Sequence, residues 1–511
     1  MSKQVRLTSI AIVTVIMLYA AVVSLSYCLS GDLNHDEHQF MASAFMVAQY
    51  GLHPYQDFAY FHMPNLVYLY APFFFTQYPF LLARIFVGIC GFGICFTIFL
   101  YARALLSRYG KLVSITIPIC ITVLFLNSQL YKLAASHVWN HTPATFFTLL
   151  AFLLHCRGIR FAKRFNVFFF SGMSLGMAIG IRLSFAPLII PFLLAILLFH
   201  SGTFKTKGLQ VLTFCIGGLL ANVVAIYFFF TSFQDFWFGN IGYASLNTLF
   251  KEELSYMLPM TLVSKFTYLI HLFIRTSSEF LVLLACLYSL ALFAIDRIRN
   301  PERLKFELLF ILMLLPFLLF GCLAPSPSWQ QYYFTIVPFI MLLSLYALSS
   351  RRDKRYPAAI VLPFILLVAA LNKSDFTIDI FTKPQTLSPI ELQRESEEIR
   401  SYIDVEALGG KILTLSPLYA VSSKLPIYEE FVTGPFAWRV SHLLSEEEAI
   451  SRGLPLRTRI KTFVKERRPC AILTGKENEW WLDKPLNEAA KDVGYYRIET
   501  SSGLILWRSN E

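Results

Sequence analysis

The sequence is poor in charged residues and has no cysteine framework. Only 15% of its 511 residues are charged, whereas 56% are hydrophobic and the mean hydropathy is +0.56. So many long apolar runs exclude a water-soluble globular chain of this length. The nine cysteines show no CxxC or Cys/His ligand spacing, and all but Cys470 lie in or beside apolar segments. A disulfide scaffold and a zinc module are therefore excluded.

Signals for cleavage, nucleotide binding and internal repetition are also missing. The first apolar run is too long for a signal peptide, and no A-x-A site follows it. The polar C-terminal region contains neither GxGxxG nor a P-loop, so nothing marks it as a nucleotide-binding domain. The chain shows no convincing internal repeat, which a secondary transporter would be expected to have.

The apolar runs predict an all-α polytopic membrane bundle. A spanning helix needs roughly 20 apolar residues. We predict eleven spans, at residues 7–29, 78–102, 112–128, 141–156, 166–181, 184–200, 208–230, 278–295, 305–323, 331–349 and 356–372. The segment 262–274 is apolar but short, and it is predicted to be an interfacial or re-entrant helix on the outer side.

Basic residues cluster in loops that these spans place on one side of the membrane. The clusters are Lys3/Arg6, Arg103/Arg108/Lys111, Arg157/Arg160/Lys163/Arg164, Lys205/Lys207, Arg297/Arg299/Arg303/Lys305 and Arg351/Arg352/Lys354/Arg355. The positive-inside rule makes that side the cytoplasm, so the N-terminus is predicted inside and the C-terminal region outside. The net charge of +11 then needs no nucleic-acid partner. We expect a bacterial inner membrane.

The composition changes after residue 372 and predicts a second domain. Residues 390–407 and 445–468 have the pattern of polar helices, and 411–416, 471–474 and 503–507 that of strands. About 130 residues suffice for a small α/β domain. We therefore predict a transmembrane domain over 1–372 and a soluble extracytoplasmic α/β domain over 373–511.

The first outer loop, residues 30–77, holds the densest group of polar side chains that could carry chemistry. His35-Asp36-Glu37 follow the first span directly, and carboxylates at a membrane edge are a functional-site hypothesis by default. Residues 40–50 have the period of an amphipathic helix, predicted to lie along the interface. Residues 66–75 are too short to span and are predicted to pack beside the bundle.

The order of elements in this loop resembles that of the GT-C membrane glycosyltransferases. The carboxylate pair and the interfacial helix are followed by G-x-x-P-Y-x-D at 51–57, H-x-P-N at 62–65 and Arg84 at the head of the second span. The nearest groups are the protein O-mannosyltransferases, the lipid A aminoarabinose transferases and the rhizobial galacturonosyltransferases. The resemblance covers about residues 1–372. It implies inverting sugar transfer from a polyprenyl-phosphate donor to a lipid, polysaccharide or protein acceptor.

Sugar transfer assigns roles to several residues. It needs a base that takes the acceptor's hydroxyl proton, and Asp36 is the best candidate. Glu37 points in another direction and could orient the acceptor, bind a cation or hold the loop. The leaving phosphate needs cations, and a charge within an apolar segment is costly unless it meets an anion. Arg84 and Arg182 are the candidate phosphate clamp.

The resemblance implies further contacts. His62 stands where relatives commonly have Lys, and Tyr332 lies in a motif that can contact the phosphate. Asn140 and His141 stand where several relatives carry an acid, which leaves a second carboxylate and a metal open. The remaining candidates for binding sugar or acceptor are His35, Tyr55, Asp57 and Trp329, together with Asn140 and His141.

Other interpretations of the same residues stay open. His35, His38, Asp36 and Glu37 could bind a divalent cation, although such dense spacing suits one helix face poorly. The main rival function is a secondary transporter or flippase, which would place polar residues near mid-membrane. A third is a non-catalytic scaffold, which leaves the first-loop cluster unexplained.

Overall fold

The computed structural model describes residues 3–161, 165–254, 260–299, 304–349, 379–403, 410–477 and 481–509. A helical bundle precedes a small α/β domain. The bundle helices are α1 (Lys3–Ser30), α2 (His35–Tyr50), α3 (Asn65–Tyr70), α4 (Pro79–Leu106), α5 (Lys111–Leu126), α6 (Gln129–Ala135), α7 (His141–Arg160), α8 (Phe165–Ile181), α9 (Ile189–Phe199), α10 (Phe204–Ala221), α11 (Val223–Thr231), α12 (Phe233–Trp237), α13 (Tyr243–Glu253), α14 (Leu262–Arg275), α15 (Ser277–Arg299), α16 (Phe306–Leu323) and α17 (Val337–Ser349). This architecture confirms the predicted fold class.

Six helices in the described part of the chain are long and apolar enough to cross a membrane, or eight if each of two bent pairs forms one span. The six are Ile10–Ser30, Pro79–Tyr109, His141–Arg160, Ser277–Ile298, Phe306–Leu323 and Gln330–Ser349. All ten spans predicted before residue 350 fall on helices. The eleventh, at 356–372, lies outside the described residues, so the number of spans stays a prediction.

The predicted span 208–230 is bent rather than straight, and the predicted span 112–128 ends where the chain bends. The axis turns by 69° between α10 and α11, and by 61° between α5 and α6. At the first bend the Nδ2 atom of Asn222 donates to the carbonyls of Gly176 and Gly218, at 2.7 and 3.0 Å. At the second, Glu279 accepts from the hydroxyl of Ser128 at 2.7 Å. Side chains therefore satisfy polar groups where the helices break.

Glycines let α8 pack directly on α10. A Cβ atom on Gly172 would lie 1.9 Å from the carbonyl oxygen of Phe214, and one on Gly217 would lie 2.1 Å from that of Phe169. Small residues allow membrane helices to approach backbone to backbone. The contact fixes the end of α8, which leads directly into Arg182.

The first outer loop folds differently from its predicted arrangement at one point. Helix α2 begins at His35, and its ten consecutive residues 37–46 are all buried. The helix therefore lacks the exposed polar face that the amphipathic pattern of residues 40–50 predicted, because other parts of the chain cover residues 37–46, while residues 49 and 50 are exposed. Its position at the membrane interface stays a prediction. Residues 66–75 pack as predicted, with Leu66, Val67 and Phe74 in the core.

The C-terminal region forms the predicted α/β domain. Its helices are α18 (Asp379–Thr382), α19 (Ser388–Ser401), α20 (Pro417–Val421), α21 (Pro435–Val440), α22 (Glu446–Ser451), α23 (Ile460–Arg467) and α24 (Lys484–Val493). Its strands are β1 (Ile412–Thr414), β2 (Ala471–Thr474), β3 (Tyr496–Glu499) and β4 (Ile505–Arg508). The sheet order is β1-β2-β4-β3, with β1 parallel to β2 and the other pairs antiparallel. Strand β3 was not predicted, and three of its four residues are exposed.

The α/β domain packs against α2. The ring of Tyr419, on α20, lies 6.1 Å from that of His38, and the carboxylate of Glu477 lies 3.7 Å from His38 Nε2. Both His38 and Glu477 are buried. The domain therefore covers the helix that carries Asp36 and Glu37.

Candidate active site

The two carboxylates of the first loop occupy the first turn of α2. Asn34 caps this helix, with its side-chain oxygen accepting from the backbone N–H of Asp36 at 2.9 Å. Glu37 completes the capping box by accepting from the backbone N–H of Asn34 at 3.0 Å. Successive helical residues point about 100° apart. Asp36 and Glu37 therefore face different surroundings, as the sequence predicted.

Glu37 is a buried ion-pair partner of Arg84. Both side chains are inaccessible to solvent, and Glu37 Oε2 lies 2.8 Å from Arg84 Nη2. The other oxygen of Glu37 accepts from the backbone N–H of Val138 at 2.6 Å. These bonds join α2, α4 and the segment before α7. Of the three roles that the sequence left open for Glu37, this arrangement favours holding the loop.

The guanidinium of Arg84 is surrounded by backbone carbonyls. It donates to the carbonyl oxygens of Cys28, Gly31 and Asp32 at 2.9–3.1 Å, and also to that of Ser136. These groups and Glu37 occupy the donors of both terminal nitrogens, and the side chain is fully buried. The arrangement argues against the predicted phosphate contact by Arg84, because no donor of a terminal nitrogen faces an open surface.

Asp36 lies in a different environment. Its side chain is 26% exposed, and His35 Nε2 lies 3.5 Å from its Oδ1. Burial raises the pKa of Asp36 to about 6, and the opposing charges of Arg439, Lys251 and Arg182 limit that increase. A carboxyl with a pKa near neutrality that is still reachable from solvent suits a general base.

Arg182 is the centre of a group of side chains that we call the Arg182 cluster, consisting of Arg182, Asn140, His141, Tyr332 and His62. Arg182 Nη1 donates to Asn140 Oδ1 at 3.1 Å and to His141 Nε2, and its Cζ lies 4.3 Å from the centroid of the Tyr332 ring. The rings of His141 and Tyr332 stack at 5.4 Å. Because a guanidinium can only donate, His141 accepts at Nε2 and is neutral.

His62 joins this cluster from the first loop. Its ring stacks on that of Phe40 at 5.2 Å, and burial together with the charge of Arg182 lowers the pKa of His62 to about 3. His62 is therefore neutral at physiological pH. It can offer a hydrogen bond to a phosphate but not a charge.

Tyr55 and Asp57 shape the loop that leads to His62. Asp57 is exposed and accepts from the backbone N–H of His53 at 2.7 Å. Tyr55 is buried, has a left-handed φ of 63°, and donates from its hydroxyl to the carbonyl of His62. The arrangement favours a structural role for both rather than the predicted contact with sugar or acceptor.

Two cations that the sequence did not single out as site residues act on Asp36. Lys251, on α13, is buried with its Nζ 4.3 Å from the ring of Trp329. Arg439, on α21, is buried beside Phe436, whose ring lies 5.8 Å from that of His35. The sequence feature that could have identified Arg439 is its position as a cation inside the apolar run 435–440. The α/β domain thus supplies a positive charge that lowers the pKa of Asp36.

Metal binding has no geometric support among the described residues. They contain no group of three or more His, Cys, Asp or Glu side chains that could hold an ion. His38 and Glu37 point to different partners, Glu477 and Arg84. A divalent cation at the first-loop cluster stays an untested alternative.

The fold has relatives among solved structures. No family model and no curated protein matches the chain. The crystal structure of ArnT from Cupriavidus metallidurans bound to undecaprenyl phosphate superposes with a TM-score of 0.60 and 11% identity, and its apo structure with 0.59 and 12%. Each comparison covers 98% of this chain and 97% of the other. The chain therefore shares the overall fold of these ArnT structures, as the resemblance to the lipid A aminoarabinose transferases led us to expect.

Proposed function

We propose that this chain, which has the GT-C fold, is an inverting glycosyltransferase that uses a polyprenyl-phosphate sugar. The observation that carries the proposal is the partly exposed carboxylate of Asp36 in the first turn of α2, in a fold that also holds Arg182 against Asn140, His141 and Tyr332. The similar ArnT structure was solved with undecaprenyl phosphate bound. We expect the reaction at the outer face of a bacterial inner membrane, with a lipid, glycan or protein acceptor.

In the proposed transfer each group has one task. Asp36 takes the proton from the acceptor hydroxyl as its oxygen attacks the anomeric carbon. The bond between that carbon and the phosphate oxygen breaks, and polyprenyl phosphate leaves with the bonding electrons. Arg182 stabilises the negative charge that develops on the leaving phosphate. Tyr332 and His62 can donate further hydrogen bonds to it, and attack opposite the leaving group inverts the configuration.

Replacing Arg182 tests the donor site. Arg182→Gln is expected to weaken the binding of undecaprenyl phosphate by roughly 10- to 100-fold, because a charge-assisted hydrogen bond is lost. Binding would be measured by native mass spectrometry of the protein in detergent. Arg275→Gln is the matched control, because Arg275 is exposed at the end of α14. If wild-type protein does not bind undecaprenyl phosphate at all, the proposed function is wrong.

The pH dependence of transfer tests Asp36. Its pKa of about 6 means that the carboxyl is protonated, and inactive as a base, below that pH. Transfer is therefore expected to reach a plateau above pH 6 and to fall about tenfold per unit below it. The measurement is kcat/KM in membrane vesicles between pH 4.5 and 8. A flat profile over this range would contradict the assignment, because a carboxyl with an ordinary pKa stays ionised throughout.

A further inference from the structure

Two ring nitrogens beside Arg182 are buried without a hydrogen-bond partner. Trp139 and His141 are each 4% exposed, and their rings meet edge to face with centroids 5.7 Å apart. The Nε1 atom of Trp139 and the Nδ1 atom of His141 make no hydrogen bond to any residue that the structure describes, and bulk water does not reach either atom. Buried N–H groups without an acceptor are rare in proteins, so each of these requires an explanation.

The contact with Arg182 fixes which nitrogen of His141 carries the proton. Arg182 Nη1 donates to His141 Nε2, because a guanidinium has no acceptor atom. The single proton of the neutral His141 ring is therefore at Nδ1, the atom without a partner. The indole of Trp139 is also a donor only. The partner that both rings lack is thus an acceptor, and it would lie next to a cation.

The segment that carries the two rings is held in place by the buried ion pair of Glu37 and Arg84. Glu37 accepts from the backbone N–H of Val138 at 2.6 Å, directly before Trp139. The ring of Trp139 then packs against that of His137, with centroids 4.1 Å apart and planes 12° from parallel. A side chain that is already fixed loses little conformational freedom when it binds a ligand. The donor on Trp139 is therefore preorganised.

We propose that Trp139 Nε1 and His141 Nδ1 donate hydrogen bonds to the phosphate of the polyprenyl-phosphate donor, beside the cation Arg182. This inference rests on the proposed function, adds Trp139 to the site and assigns His141 to the phosphate rather than to the sugar or acceptor. Hydrogen bonds to an ionised acceptor are shorter and stronger than those between neutral groups. Neutral ring donors also avoid the repulsion that a second cation beside Arg182 would experience.

The test compares undecaprenyl phosphate with undecaprenol, which has the same chain but lacks the phosphate. Both affinities would be measured by native mass spectrometry of the full chain in detergent. Trp139→Phe removes the N–H group and keeps an aromatic ring against His137. It is expected to weaken the binding of undecaprenyl phosphate about tenfold, because a hydrogen bond to a charged acceptor is lost, and to leave the binding of undecaprenol unchanged.

A second variant tests the other ring donor, and it also serves if Trp139→Phe does not fold. In His141→Gln the amide oxygen can still accept from Arg182, whereas the donor at Nδ1 is gone. A similar loss of affinity for undecaprenyl phosphate is expected. Trp237→Phe and His271→Gln are the matched controls, because both side chains are exposed, on α12 and α14. Neither control should change the affinity.

Three outcomes would overturn the inference. One is that both variants bind undecaprenyl phosphate as the wild type does, which would leave the N–H groups to a buried water or to the sugar. Another is an equal loss of affinity for undecaprenol, which would assign the rings to the polyprenyl chain. The third is that both variants lose stability without losing affinity, or do not fold, which would assign the N–H groups to the fold. If the wild type itself does not bind undecaprenyl phosphate, the proposed function is contradicted instead.

Discussion

Asp36→Asn is expected to reduce sugar transfer by roughly 10²- to 10⁴-fold, which is the usual contribution of a general base. The substitution preserves the shape of the side chain and its backbone hydrogen bond to Asn34, so α2 should still begin at His35. It removes the negative charge and the ability to accept a proton. The loss should therefore appear in kcat, with little change in the binding of undecaprenyl phosphate.

The measurement compares the surface glycans of a deletion strain with those of strains that express either protein. The wild type should restore the missing sugar and Asp36→Asn should not, at equal amounts of inserted protein. Asp57→Asn is the matched control, because Asp57 belongs to the same loop but is exposed in a turn. Full restoration of the sugar by Asp36→Asn would show that another group acts as the base.

Glu37→Gln is expected to destabilise the fold by roughly 3–5 kcal/mol, because it leaves the buried guanidinium of Arg84 without its counter-ion. The effect would be measured as the free energy of unfolding in mixed detergent micelles. Arg84→Met should cost a similar amount, since it strands the carboxylate of Glu37. The double variant should lose less than the sum of the two single variants, because neither charge is left alone.

A surface ion pair provides the control for this prediction. Glu253→Gln breaks a contact with His442 in which both side chains are partly exposed, and it should change the free energy by less than about 1 kcal/mol. If Glu37→Gln abolishes transfer while the unfolding free energy stays at the wild-type value, Glu37 acts in the chemistry. Loss of stability with the remaining folded protein still active supports the structural assignment.

Much of the fold follows from local patterns in the sequence. The apolar runs before residue 350 all became helices, since a backbone in lipid must satisfy its hydrogen bonds within the segment. Strands β1, β2 and β4 were visible as short apolar runs. Strand β3 was not, because Tyr496–Glu499 lies at the edge of the sheet and is mostly exposed, so it lacks an apolar signature.

Local geometry at the candidate site could be predicted where a residue's neighbours in the chain define its surroundings. Asp36 and Glu37 follow the helix cap at Asn34 as successive residues of α2. Their side chains point in different directions, which follows from helical geometry alone. Arg182 was identified as a charge at the end of an apolar segment, and the structure brings it together with Asn140, His141 and Tyr332. Its contact with a phosphate stays a prediction.

The role of Arg84 could not be predicted from its neighbours in the chain. It is also a charge in an apolar segment, but its partners are Glu37 and four carbonyls that lie 47 to 56 residues away in the chain. No local pattern distinguishes an arginine that binds a substrate phosphate from one that joins two loops. Only the packing of α2 on α4 and on the segment before α7 makes that distinction.

The sequence by itself determined the fold class, and it predicted a bundle followed by an α/β domain and a candidate catalytic carboxylate, Asp36, in the loop 30–77. The tertiary structure alone decided which of the two carboxylates is sequestered by Arg84, and that Arg439 reaches Asp36 from some 400 residues further along the chain. The physical reason is the separation along the chain between the residues that interact. Hydrophobic periodicity and helix caps are set by neighbouring residues, whereas ion pairs and the field at a site depend on which distant segments pack together.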